Sequence, residues 1–176
     1  MIANHVTTLA QVHQPERLSS LSLEKERGSN RVSLKRADNI LHFSMQGSLP
    51  EGDLLALNTT LGTLSYLTMQ DNLPTLIGQQ QFTNNEMSVL LPLLDNHPYY
   101  CPYEVLYASF YNGTVNEKTI ALSREQLDEA LATGIWDQQM RPIRNVLSRT
   151  RLKTRMMGID ILAILETGYI LRFLGR

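Results

Sequence analysis

Apolar residues recur unevenly along this chain, and changes in their period divide it into segments. Over residues 1–39 the composition is Ser, Thr, Gln and charge, and SLSLEKERGSNRVSLKR keeps neither a helical nor a strand period. Such a stretch predicts a mobile or loosely packed arm. NILHFSM (39–45) reads as a short strand, closed off by Gly47 and Pro50. LGTLSYLTMQDNLPTLIGQQQ then alternates apolar and polar residues, which predicts two or three strands around turns at Asp71-Asn72 and at Gly78.

From residue 82 the period lengthens. In FTNNEMSVLLPLLDNHP, Met87, Leu90, Leu91 and Leu94 recur at helical spacing behind a Thr83/Glu86 capping box. Pro98 ends this helix, and Pro92 predicts a kink or a shortened first half. CPYEVLYASFYNG predicts a second helix, with Pro102 at its first position and Gly113 as its C-terminal cap. SREQLDEALATG predicts a third, opened by a Ser123/Gln126 box and stopped at Gly134. A fourth spans 142–157, opening at Pro142. Its apolar face holds Ile143, Val146, Leu147, Thr150 and Met157, while Arg144, Asn145, Ser148, Arg149, Arg151, Leu152 and Arg155 fall largely on the others. Gly158 ends it, and IDILAIL with TGYILRF predicts a closing hairpin over 159–174, bent at Gly168-Tyr169. The expected division is an N-terminal arm over 1–59, partly disordered or weakly structured, and a folded domain over 60–176.

Charge sharpens this picture. Residues 139–176 carry eight Lys and Arg against two Asp and Glu, whereas residues 81–138 carry two against eight. A basic end behind an acidic middle suggests a nucleic-acid face, although a solvated helix surface accounts for the same count. The single cysteine, Cys101, excludes an intrachain disulfide and a cysteine-based zinc site, and reads as a buried, inert thiol. His5, His13, His42 and His97 are scattered, and no phosphate-binding, dinucleotide or nucleophile-elbow glycine motif occurs. No enzyme activity, metal or cofactor is therefore expected. MIANHVTTLAQ has no Lys or Arg before its short apolar stretch, so it does not read as a signal peptide. No apolar run approaches the ~20 residues of a membrane span, so a cytoplasmic protein is expected.

The order of these motifs resembles the winged helix-turn-helix of OmpR/PhoB-type response-regulator output domains. FTNNEMSVLLPLL resembles the Leu-Thr-x-x-Glu opening of that family's first helix, with Phe82 in place of Leu. MRPIRNVLSRTRLK resembles its recognition-helix stretch at Arg141, Ile143, Arg151 and Lys153. GIDILAILETGYIL resembles its wing, and LGTLSYL the first strands of the preceding sheet. The resemblance covers roughly residues 60–174 and implies an α+β fold: a small N-terminal antiparallel sheet, three to four helices and a β-hairpin wing. It implies a sequence-specific transcription regulator that binds double-stranded DNA, with the 142–157 helix in the major groove. Arg144, Asn145, Ser148, Arg149 and Arg151 are the expected readers. Arg141, Lys153 and Arg155 are expected on the backbone, and Tyr169 on a phosphate or packed beneath the hairpin. A homodimer on DNA is a further expectation.

The departures from the family are specific. Residues 114–137 intervene before the recognition helix, and their acidic surface is a candidate contact for RNA polymerase or another regulator. Leu165-Glu166 stands where the family's wing usually has Arg-Gly. The first 59 residues supply no receiver domain, so phosphotransfer control by this chain alone is not expected. A winged helix that binds proteins rather than DNA is the alternative reading.

Overall fold

A computed structural model describes residues 31–32, 39–45 and 47–174. The arm expected over 1–39 therefore lies outside the described residues, save Arg31, Val32 and Asn39. Ahead of the helices, β1 (Arg31–Val32), β2 (Ile40–Phe43), β3 (Leu54–Asn58), β4 (Thr63–Gln70) and β5 (Leu73–Gln81) form an antiparallel sheet in chain order. Asp71 and Asn72 both take positive φ, 51° and 61°. That left-handed pair is what a two-residue hairpin demands, and Asp and Asn tolerate it. Gly78 makes no turn. It lies within β5 opposite Tyr66, beside a register shift between Tyr66 and Leu67, so it belongs to an irregularity in the ladder.

The sheet also runs across residue 59, where the arm was expected to end. β3 and β4 pair from Leu54↔Leu67 to Asn58↔Thr63, and Leu55, Leu57 and Leu64 are fully buried. Alternation places these three with Phe43 and Tyr66 in the core.

The helices follow as α1 (Asn84–Asn96), α2 (Tyr103–Tyr107, continued by a π-helical turn over Ala108–Asn112), α3 (Glu117–Ala132) and α4 (Trp136–Arg155). α1 opens with the expected capping box, Glu86 N–H donating to Thr83 Oγ1 and Thr83 N–H to Glu86 Oε2. It runs unbroken through Pro92, whose buried side chain joins Val89, Leu90, Leu93 and Leu94 on the inward face. Asn116, not Ser123, caps α3, sharing a reciprocal box with Thr119. Ser123 lies inside the helix and is buried. α4 opens six residues before Pro142, because Trp136 packs edge-to-face on Tyr103 and Met140 is fully buried. That anchoring outweighs the one backbone hydrogen bond a proline removes.

Gly158, at φ 75°, turns the chain out of α4 into β7 (Ile159–Ile164), which pairs with β8 (Gly168–Phe173). A two-residue strand, β6 (Cys101–Pro102), pairs with β8 and makes a second, three-stranded sheet in the order β6-β8-β7. The bend of the hairpin is Leu165–Thr167, with Glu166 at φ 56°, rather than Gly168-Tyr169. Gly168 is instead the first residue of β8, where a Cβ would run into the Cys101 carbonyl oxygen. The chain is thus α+β, with an antiparallel sheet, four helices and a C-terminal hairpin in the layout of a winged helix. Among the described residues no helix is long and apolar enough to cross a membrane.

Candidate nucleic-acid interface

α4 is amphipathic in the ordinary way, and its buried side decides what its outer side presents. Met140, Ile143, Val146, Leu147, Thr150 and Thr154 face inward. Burying an aliphatic side chain of this size contributes about 1.5–3 kcal/mol, so four of them fix the helix's rotation firmly. Twenty residues at 1.5 Å each make a rod of about 30 Å.

Two ion pairs tie this rod to other elements, and aromatic packing holds its N-terminal end, where Arg144 pairs within the helix itself. Near its N-terminus, Arg144 Nη2 bonds Asp137 Oδ1 at 2.7 Å, and the guanidinium lies 5.5 Å from the Trp136 ring centre. Trp136 stacks edge-to-face on Tyr103, and Tyr103 does the same on Tyr169. Further along, Arg151 holds Asp160 of β7 with two bonds, Nε to Oδ1 at 2.6 Å and Nη2 to Oδ2 at 3.2 Å. Lys153 Nζ donates to Glu86 Oε2 at 2.6 Å and to the Gln81 carbonyl at 3.0 Å, tying α4 to the junction of β5 and α1.

The anchoring carboxylates are buried, and their acidity follows their partners. The hydrogen bond from Arg151 holds the Asp160 carboxyl below the usual carboxylate range, outweighing burial, with the Arg151 and Arg155 charges assisting. For Glu86, burial alone would raise the carboxyl; bonds from Lys153 and Thr83 reverse this and bring it below its ordinary value. Burial pushes the Tyr169 phenol up, because the ring sits half-buried against Tyr103.

The nine residues expected to contact DNA therefore divide. Arg141, Asn145, Ser148 and Arg149 are exposed along the outer side of α4, and among the described residues Arg141 and Arg149 form no ion pair. Arg144, Arg151 and Lys153 are engaged within the protein. Arg155 is exposed beside Asp160, and Tyr169 packs beneath the hairpin. Leu152 and Met156 continue the outer stripe and are 68% and 76% exposed. The sequence reading passed over Asp160 and took Glu86 for a helix cap alone, missing its role as the anchor of Lys153. A signal was present in Asp160, one of only two acidic residues in the basic quarter.

Other chemistry finds little footing. Among the described residues no three His, Cys, Asp or Glu side chains converge as a metal site. Cys101 is buried and free, and burial, aided by Asp95 and Glu104, pushes its thiol far up. Comparison with known proteins adds no relative: no protein-family model, no curated protein and no solved structure matches the chain.

Proposed function

We propose that the chain is a sequence-specific, double-stranded DNA-binding transcription regulator of OmpR/PhoB type, with α4 in the major groove and the β7–β8 hairpin as its wing. The observation that carries this reading is the outer stripe of α4. Arg141, Asn145, Ser148 and Arg149 stand exposed on a helix whose rotation and position are fixed from within. Arg suits guanine O6 and N7, and Asn suits adenine N6 and N7, each good pair giving about 1–3 kcal/mol of discrimination. Fixed geometry matters because such pairs discriminate only when the side chain is aimed. A three-residue turn, Thr133–Ile135, joins α3 to α4, in keeping with a helix-turn-helix.

On this reading the chain is a cytoplasmic regulator without enzymatic activity, and it pairs as a homodimer on DNA. The acidic face of α3, with Glu117, Glu125, Asp128 and Glu129, contacts RNA polymerase or a second regulator. Engagement of Arg144 and Arg151 within the protein narrows the readers to Asn145, Ser148 and Arg149, with Arg141 beside them on the same side for the backbone.

A second reading, a winged helix that binds a protein partner, is favoured by one observation. Leu152 and Met156 give the C-terminal part of the same stripe an apolar character that phosphates do not reward. Selection of bound duplexes from a random pool at two salt concentrations separates the readings. DNA binding yields an enriched sequence, with log K against log[salt] falling by about 0.9 per phosphate neutralised. Arg149→Ala then costs about 1–3 kcal/mol at one base position and leaves the others unchanged. A pool that shows no enrichment and no salt-dependent retention favours the protein-binding reading.

A further inference from the structure

Asp160 lies where α4 meets the hairpin and is shared by three arginines. Only 2% of its side chain is exposed. Its oxygens are already satisfied: Oδ1 accepts from Arg151 Nε at 2.6 Å and from the Ile161 N–H at 3.0 Å, and Oδ2 accepts from Arg151 Nη2 at 3.2 Å. Two further guanidiniums converge without bonding it. Arg155 Nε stands 3.8 Å from Oδ1, and Arg172 Nη2 stands 3.6 Å from Oδ2. Arg155 comes from the last turn of α4. Arg172 comes from β8, directly across the ladder from Asp160.

One negative charge thus serves three positive ones, and among the described residues the Arg155 and Arg172 guanidiniums form no hydrogen bond. Both are more than half exposed. Each lies within 4 Å of the same carboxylate, which makes the two guanidiniums neighbours at this corner. A guanidinium prefers paired oxygens, as in carboxylate or phosphate. Arg155 also lies two helical turns beyond Ser148, on the flank of the exposed stripe.

We propose that Arg155 and Arg172 form a clamp for one backbone phosphate of double-stranded DNA, set by Asp160 at the corner between helix and wing. Arg151 spends its fork on Asp160 and holds that corner rigid, while the other two arginines grip the phosphodiester. The wing then contributes to binding through Arg172 on its second strand rather than through its tip, where Glu166 is exposed. This proposal rests on the DNA-binding reading and adds to it a fixed, sequence-independent contact.

The test measures duplex affinity against salt for the wild-type chain, Arg172→Gln, Arg155→Gln and Arg172→Lys, with a thermal melt of each. Each Gln variant is expected to bind roughly three- to tenfold more weakly, alike on selected and scrambled duplexes, with the salt slope reduced by about 0.9. Arg172→Lys keeps the charge and is expected to keep the slope. Wild-type binding with unchanged affinity and slope in both Gln variants overturns the clamp and leaves the DNA-binding reading intact. Weaker binding with an unchanged slope and a lowered melt also overturns it, since the arginine then only braces the hairpin. A wild-type chain that binds no duplex removes the DNA-binding reading and the clamp together.

Discussion

α3 and α4 follow one another across three residues, yet they are held in opposite ways. α3 has a reciprocal side-chain cap at Asn116 and Thr119 but buries only Ser123, Leu127 and Ala130. α4 has no side-chain cap at all, yet it buries six residues and is tied to α1 and β7 by ion pairs. Their surfaces differ as sharply. α3 exposes carboxylates, while α4 carries five arginines and one lysine against Asp137. The contrast teaches that local capping suffices for a helix whose place need not be exact. α4 instead has its rotation fixed by packing and its C-terminal part by ion pairs, as the proposed reading of base edges would require.

The largest effect is expected where α4 is fixed by packing. Ile143 is fully buried in the central cluster, so Ile143→Ala should destabilise the fold by about 2–5 kcal/mol through lost transfer energy and the cavity left behind. Urea denaturation measures it directly. A cost below about 1 kcal/mol would mean that α4 is not fixed by its apolar face, and the comparison with α3 would fail.

A smaller effect is expected at the ionic attachments, and pH reveals it. Asp160 and Glu86 both hold their carboxyls below the ordinary range in the fold. At low pH the unfolded chain therefore binds more protons than the folded one, and stability falls with pH. The contribution is fully present above the unfolded values of about 4 and is lost as pH drops through the lower folded ones. Asp160→Asn removes its share, so the wild type should lose its advantage over that variant as pH falls from 7 to 3. A gap in urea midpoint that stays constant over this range would show that the carboxylate charge does nothing there.

Much of this contrast was legible in the sequence, and the gaps have physical causes. The Thr83/Glu86 box, the Asp71-Asn72 turn and the stops at Gly113, Gly134 and Gly158 depend on neighbouring residues alone, and local chemistry settles them. The start of α4 was misplaced because Pro142 looks like a first-turn residue. Trp136 and Met140 draw the helix back through contacts that no local signal displays. Ser123 with Gln126 resembles a capping box as closely as Asn116 with Thr119 does, and burial chose between them. On α4 the helical period separated outer from inner residues. It did not reveal that Arg151 and Lys153 had partners, because Asp160 lies past a chain reversal and Glu86 lies 67 residues away.

The smallest effect expected is also the one that separates the two helices most finely. Both bury hydroxyls. In α4, Thr150 Oγ1 donates to the Val146 carbonyl at 2.9 Å, and Thr154 Oγ1 to the Arg151 carbonyl at 3.2 Å. In α3, the Ser123 hydroxyl is fully buried and finds no partner among the described residues. An unsatisfied buried hydroxyl has given up its water for nothing, at a cost of about 1–3 kcal/mol. Alanine removes that cost and is the better helix former by roughly half a kcal/mol, against a small loss of packing. Ser123→Ala is therefore expected to leave stability unchanged or to raise it by up to about 1 kcal/mol, read as a shift in urea midpoint at constant slope. A loss of about 1 kcal/mol or more would show that the hydroxyl is bonded after all. α3 would then be fixed from within as α4 is, and its acidic face would gain the same claim to a defined position.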